Sequence, residues 1–408
     1  MQPKARPDTI HRMSTAHSRA CSPLETAREL APAIRRAATE IEQTRALPRP
    51  LFERLVDGGL FHMLIPHQLG GRELDLPSYV EVAEELGAAD ASTAWCINQG
   101  GVWATHAVCV PPDLAREIWV ETPRSVVANT PAPTATAIPV EGGYKITGRQ
   151  GYSTGSPHAS WIAARGKIVE NGQPRKRADG SLDIRFFMMP VSEVELLDTW
   201  QTRGLRGTGT HHFQIADHFV PEERSFAEDA PPLPQYGPLY AIPRTQLFAT
   251  GDAAIAVGNA RAALNAFYEL ADAKTPGAMS ELLRDQAMVQ YEIGQAEALL
   301  RAARALLRET VREIWEPIVA TGSTTLQQRA ALRTATTFAL RKSAEVVDTV
   351  YHLAGATVVL ESHPLQRHFQ DAHVITQHVQ SRPNHYQSIG KYYLGLEPND
   401  PYMGGHND

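Results

Sequence analysis

The feature that most constrains this 408-residue chain is a change of periodicity near Ser125, reversed after a proline-rich stretch that ends at Pro243. Upstream, apolar residues recur with helical spacing; between the two points they alternate over short runs; downstream the helical spacing returns. A fold must therefore hold a β-rich unit between two helical ones.

Residues 1–21 are rich in Pro, Arg, Ser and His without periodicity and read as a mobile tail. A helix then starts sharply: Ser22 suits the N-cap, Pro23 the first helical position, and Glu25 completes a capping box before Leu30, Ile34 and Ile41. Further helical segments fall around Leu51–Leu60, Ser78–Gly87 and Ser92–Val110, giving an N-terminal helical domain over 22–124. Val126-Val127, Tyr144–Thr147, Ile184–Met189 and His212–Val220 read as strands of a central β domain over 125–229. A linker spans 230–245, and Ala-, Leu- and Arg-rich helices from Leu247, Met279, Thr325 and Pro364 predict a C-terminal helical bundle over 246–396, with a tail at 397–408. The fold class is α+β.

A hydrophobic content of 43% is that of an ordinary globular protein, and the net charge of −6 comes from mixed signs without a basic stripe, which argues against nucleic acid as a partner. With no apolar run of membrane-spanning length and no signal-like N-terminus, the expected location is the cytoplasm. Cys21, Cys96 and Cys109 have neither disulfide nor zinc spacing and read as free thiols.

His363, His368, His373 and His378 recur every five residues. At about 100° per residue this turns a helix by ~140° each time, so they share no face and no metal site is expected. Gly204-x-x-Gly207-x-Gly209 lacks the Lys-Ser/Thr of a phosphate loop, and Ser153 and Ser156 lie outside any G-x-S-x-G, so nucleotidase and hydrolase chemistry are disfavoured.

Several motifs occur in a fixed order: Ile65-Pro66 with Leu69-Gly70-Gly71; Gly142 to Arg149; Tyr152-Ser153-Thr154-Gly155 with His158 and Trp161; Asp198-Thr199-Trp200 leading to Gly204 to Thr210; Phe219-Val220-Pro221; and Pro364 to His378. In that order they resemble the acyl-CoA dehydrogenase superfamily, more closely its two-component flavin-dependent monooxygenase branch. The resemblance covers nearly the whole chain after the tail. It implies an acyl-CoA dehydrogenase-like fold with a flavin between the β domain and the bundle. Asn129-Thr130 and Ser153-Thr154-Gly155 are then the cofactor-binding loops, with Thr154 at flavin N5.

Acyl-CoA dehydrogenases use a glutamate to remove the substrate's α-proton. Matching Gln370-Asp371-Ala372 to the family's Arg-Asp-Ala segment puts Val379 at that position, beside His378; the alternative position early in the first bundle helix falls near Thr245, with Asp252 two turns further on. Neither valine nor threonine is such a base. In the monooxygenase branch, reduced flavin and O2 give a C4a-hydroperoxyflavin, and His378 matches the histidine that stabilises it.

The resemblance thus implies a flavin-dependent monooxygenase that takes reduced FMN (or FAD) from an NAD(P)H-dependent flavin reductase and oxygenates a small or polycyclic, largely apolar, aromatic substrate. It also implies a homotetramer. Trp103 stands where phenol-hydroxylating relatives carry a substrate histidine; His106, three residues on, is a substitute, and with Trp95 these are the expected substrate residues. Gln370 replaces an arginine and Gln150 a tryptophan near the ring. Two other readings stay open: an acyl-thioester dehydrogenase with an unplaced base, and a helical binding protein without flavin.

Overall fold

The structure, a computed structural model, describes residues 21–403 except 123, 233–235 and 278. Of the tail expected over 1–21, residues 1–20 lie outside the described residues. Helix α1 (Pro23–Thr44) starts on the expected capping box: Ser22 Oγ accepts from Glu25 N at 3.2 Å, and Ser22 N donates to Glu25 Oε2 at 2.8 Å. It ends where Arg45 turns left-handed (φ +58°). Helices α2 (Arg49–Asp57), α3 (Leu76–Ala89), α4 (Ala91–Trp103) and α5 (Pro112–Trp119) complete the first unit. Asp90 separates α3 from α4 and caps the latter, accepting from Thr93 N at 2.7 Å.

The central unit is one nine-stranded sheet among the described residues. Its strands are β1 (Val127–Asn129), β2 (Ala135–Val140), β3 (Gly143–Ser153), β4 (Trp161–Glu170), β5 (Gln173–Pro174), β6 (Ile184–Pro190), β7 (Glu195–Leu197), β8 (His211–Pro221) and β9 (Ser225–Ala227). The main path runs β7-β8-β3-β2-β4-β6-β9, with β1 parallel to β4. Alternation found β1, β3, β6 and β8 but not β4. That strand is buried on both faces over Trp161–Ala164 and carries no period-two signal.

The third unit contains α6 (Arg244–Ala273), α7 (Ala287–Thr321), α8 (Leu326–Ala354), α9 (Pro364–Gln377) and α10 (His385–Tyr393). Helix α6 is buried nearly all round from Leu247 to Leu264 because α3, α4, α8 and α9 pack on it. It crosses α3 closely through glycines: a Cβ at Gly87 would stand 2.7 Å from Ile255 backbone, and one at Gly258 2.2 Å from Glu84 O. That crossing fuses the two helical units into one core.

Three boundaries are corrected. Helix α6 begins at Arg244, inside the expected 230–245 linker, and α7 begins at Ala287 rather than Met279. The expected tail at 397–408 is packed over 397–403: Met403 is buried, Gln246 Nε2 donates to its carbonyl at 3.2 Å, and buried Arg333 bonds the Tyr402 carbonyl. Residues 404–408 lie outside the described residues. No described helix is long and apolar enough to cross a membrane.

Candidate active site

Two loops of the sheet meet at the ends of β1 and β3. Thr130 Oγ1 donates to Gly151 O at 3.0 Å, which ties the segment after Asn129 to β3. Between Gln150 and Ser153 the β3–β8 register slips, and Tyr152 takes a left-handed backbone (φ +61°) with its ring exposed. Such a bulge re-aims the residues that follow it. Ser153 is buried with Oγ unpartnered, Thr154 is half-buried, and Gly155 (φ +74°) donates its N–H to Thr208 O at 2.8 Å. Thr154 Oγ1 lies 3.0 Å from Thr210 Oγ1, which lies 2.7 Å from Thr208 Oγ1.

Gln150, expected beside a ring, is instead fully buried in the sheet. Its amide accepts from Arg165 N at 3.1 Å and donates to the Arg165 carbonyl, stitching β3 to β4.

On the bundle side, His378 caps the C-terminus of α9 in extended backbone (φ −64°, ψ 148°). Ser381 N donates to its carbonyl at 2.9 Å, and Ser381 Oγ closes the turn onto Ile375 O at 2.8 Å. Its Nδ1 stands 3.0 Å from Oδ2 of Asp252, a carboxylate with no exposed surface. The contact is at ion-pair distance without good hydrogen-bond alignment. Oδ1 of Asp252 accepts from Asn98 Nδ2 at 2.7 Å and Gln99 Nε2 at 3.2 Å, and the Tyr79 hydroxyl donates to Asn98. Gly251 makes room for this group, since a Cβ there would lie 2.2 Å from Asn98 Oδ1. Burial pushes the Asp252 carboxyl up, while His378, Asn98 and Arg333 oppose it.

One turn of α4 joins the two halves. Trp95 meets the His378 ring edge-on with centroids 5.1 Å apart, and Cys96 Sγ lies 3.7 Å from Thr208 O. The other two expected substrate residues lie two turns further along. Trp103 stacks on His106 at 4.6 Å and packs with Trp119 and Phe186 in a second cluster that includes Val127 of β1. His106 donates Nδ1–H to Trp103 O at 2.8 Å, and burial drives its pKa well down, so the ring is neutral. Trp103 Nε1 is buried without a partner.

Asp371 plays a structural part. It accepts from Leu205 N, while Gly204 packs so closely on α9 that a Cβ would lie 2.2 Å from Gln370 O. His368 pairs with Asn259 (Nδ1 to Oδ1, 2.7 Å) and is held neutral, its pKa pushed to about 3 by burial. Among the described residues no group of three metal-ligating side chains exists.

These polar groups fit a flat heterocycle with a polar rim. The His378 imidazole meets the Trp95 indole, the threonine hydroxyls join the same turn of α4 through Thr208 and Cys96, and the buried oxygen of Ser153 lacks a partner. Asp252 itself sits behind His378 with no exposed surface, its Oδ1 hydrogen-bonded and its Oδ2 3.0 Å from Nδ1, so it is not a base facing a thioester.

Residues 24–109 match the family described as acyl-CoA dehydrogenase, N-terminal domain, and residues 250–383 match acyl-CoA dehydrogenase, C-terminal domain. The chain is similar to indole-3-acetate monooxygenase of Pseudomonas putida, 30% identical over 89% of this chain and 91% of that protein. It is also similar to the flavin-dependent monooxygenase oxygenase subunit HsaA of Mycobacterium tuberculosis, 30% identical over 91% and 95% of the two chains. The chain belongs to the acyl-CoA dehydrogenase superfamily, in its two-component flavin-dependent monooxygenase branch. The crystal structure of 3-HSA hydroxylase from Rhodococcus sp. RHA1 superposes with a TM-score of 0.84 at 26% identity, over 94% of this chain and 99% of that one.

This monooxygenase is an enzyme, which sets aside the binding-protein alternative. The motifs single out His378 and Thr154 as expectations, whereas the sequence names Asp252 only as a carboxylate two turns beyond Thr245 and gives no role to Asn98 and Gln99. The available signal was one carboxylate within the apolar run Ala253 to Val257 and its neighbours, where an unpaired charge is costly. Thr208 and Thr210 stand in a quoted motif, yet nothing in the sequence aims them at Thr154.

Proposed function

We propose that this chain is the oxygenase component of a two-component system, taking reduced FMN (or FAD) from a separate NAD(P)H-dependent flavin reductase. One oxygen atom of O2 enters a small or polycyclic, largely apolar aromatic substrate, and the other leaves as water. The carrying observation is His378, backed by buried Asp252 and adjoining Val379, the residue that the family resemblance matches to a dehydrogenase's base. Bound reduced flavin supplies the two electrons that activate dioxygen at its C4a position.

The remaining work falls to the protein. Thr154 holds N5, with Asn129, Thr130, Ser153 and Gly155 supplying the loops around the ring. His378, its Nδ1 turned inward to Asp252, turns Nε2 toward the reacting oxygen, where it holds or passes a proton. Trp95 lines the substrate side beside it, and the apolar cluster of Trp103 and His106 shapes the deeper wall while keeping water out. The names of relatives, which act on indole-3-acetate and p-hydroxyphenylacetate, support an aromatic substrate. A homotetramer in the cytoplasm completes the reading.

The test mixes the protein with anaerobically reduced FMN, then adds ¹⁸O2 and a panel of aromatic acids, indoles and polycyclic phenols. Reoxidation in more than one phase and one ¹⁸O atom in a product are expected. Reoxidation at the rate of free flavin, with peroxide as the sole product for every compound, overturns the proposal.

A further inference from the structure

The hydroxyls of Thr154, Thr210 and Thr208 form a chain whose direction is fixed at its inner end. Thr208 Oγ1 lies 2.8 Å from Leu205 O, and since a carbonyl only accepts, the single Thr208 proton points there. Thr208 Oγ1 must then accept from Thr210 at 2.7 Å. With its own proton spent, Thr210 accepts from Thr154 at 3.0 Å. Thr154, at the half-buried outer end, keeps lone pairs but has no proton left to give.

The inner anchor is held from several sides. Leu205 adopts a left-handed backbone (φ +47°), its N–H donates to Asp371 Oδ1 at 2.6 Å, and its carbonyl also accepts from Trp200 Nε1 at 2.8 Å. The carbonyl accepts from Thr208 N as well, at 3.2 Å, and a hydroxyl oxygen held 2.8 Å from a carbonyl oxygen must keep its proton between the two, so the Thr208 bond has a fixed target. Thr208 and Thr210 are 1% and 5% exposed, which leaves little room for solvent to reverse them.

Flavin N5 changes its hydrogen-bonding sense with redox state. In the oxidised ring N5 is a lone-pair acceptor; after two-electron reduction it carries a hydrogen and donates. We propose that this chain selects reduced over oxidised flavin by presenting Thr154 as an obligate acceptor, its polarity set through Thr210 and Thr208 by the Leu205 carbonyl. The inference rests on the reading of Thr154 as the group that faces N5. Reduced flavin meets a matched partner there, whereas oxidised flavin meets acceptor against acceptor, a mismatch of the kind that weakens binding about tenfold or more. An oxygenase fed from solution gains from this: it captures the reduced form from a mixed pool and releases the spent one.

Affinities for reduced and oxidised FMN, measured anaerobically by titration and by equilibrium dialysis, test the inference without turnover. The wild type is expected to bind reduced FMN at least about tenfold more tightly. Oxidised 5-deaza-FMN, which replaces the N5 lone pair with C–H, is expected to bind several-fold more tightly than oxidised FMN. Thr208→Val and Thr210→Val free Thr154 to donate, so oxidised FMN tightens and the preference shrinks by about fivefold or more, while Thr210→Ser keeps it. If Thr154→Val leaves both affinities unchanged, the placement of Thr154 at N5 fails. If Thr154→Val weakens reduced FMN but neither Thr208→Val nor Thr210→Val alters the preference, the polarity mechanism alone is overturned. Equal affinity of the wild type for oxidised FMN and its 5-deaza analogue overturns it as well, independently of how the variants fold.

Discussion

The Leu205 amide donates to Asp371 Oδ1 at 2.6 Å, and this single bond pins the glycine-rich loop of the sheet unit to α9 of the bundle. Asp371 is wholly buried, near Asp90 and Glu42, and its pKa is pushed from 3.8 to about 8, first by burial and then by Asp90. Glu42, on the same junction, is raised from 4.5 to about 7, chiefly by burial, with Arg206 opposing. The folded state therefore favours both protonated acids. Their contribution is complete below the ordinary carboxylate range and is lost as pH rises through about 7 and 8.

Thermal stability should accordingly fall between pH 6 and pH 9. Asp371→Asn keeps an acceptor for Leu205 without a charge, so its melting temperature should vary less over that range and exceed the wild type's at pH 9. Calorimetry at the two pH values checks this; parallel curves for the two proteins would refute the assignment.

Asp252→Asn should reverse the tautomer of neutral His378. Asn98 and Gln99 both donate to Oδ1, so an asparagine there keeps its oxygen toward them and turns its NH2 toward His378 Nδ1. The ring must then accept at Nδ1 and carry its proton on Nε2, the reverse of what an ionised Asp252 beside Nδ1 favours. ¹⁵N spectra of labelled histidine distinguish the two forms. Hydroxylation should drop by ~10-fold or more with substrate KM little changed, because orientation rather than binding is lost.

His378→Ala should uncouple the enzyme. Reduced FMN still binds, but more of the oxygen consumed leaves as hydrogen peroxide and product yield falls ~10-fold or more. Peroxide and product measured per flavin oxidised decide it, and unchanged coupling removes His378 from the chemistry.

Trp103 separates packing from recognition. It is 2% exposed, so Trp103→Ala should cost ~3–5 kcal/mol of stability through the cavity left behind. Trp103→Phe refills most of that volume and should fold, and a changed substrate preference in that variant would mark the indole as part of the pocket wall. Denaturant unfolding alongside a substrate panel gives both answers.

The local features followed from local chemistry. The capping box at Ser22 and Glu25, the strands β3, β6 and β8, and the long bundle helices are each specified by neighbouring residues, and the motif order was enough to single out His378 and Thr154. Strand β4 was illegible because burial on both faces erases the alternation that marks a strand. The packed segment up to Met403 was illegible because its anchors, Arg333 and Gln246, lie far away in the chain.

By itself the sequence determined the helical–β–helical order, the family's motifs and the absence of a carboxylate at Val379. Only tertiary structure decided what stands behind His378 and Thr154. Asp252 approaches across 126 residues of chain and the Thr208–Thr210 hydroxyls across 54 or more, and such partners are chosen by how α4, α6, α9 and the sheet loops pack. The physical reason is that a buried polar group must find its partner wherever the fold brings one within about 3 Å, and sequence distance does not enter that condition.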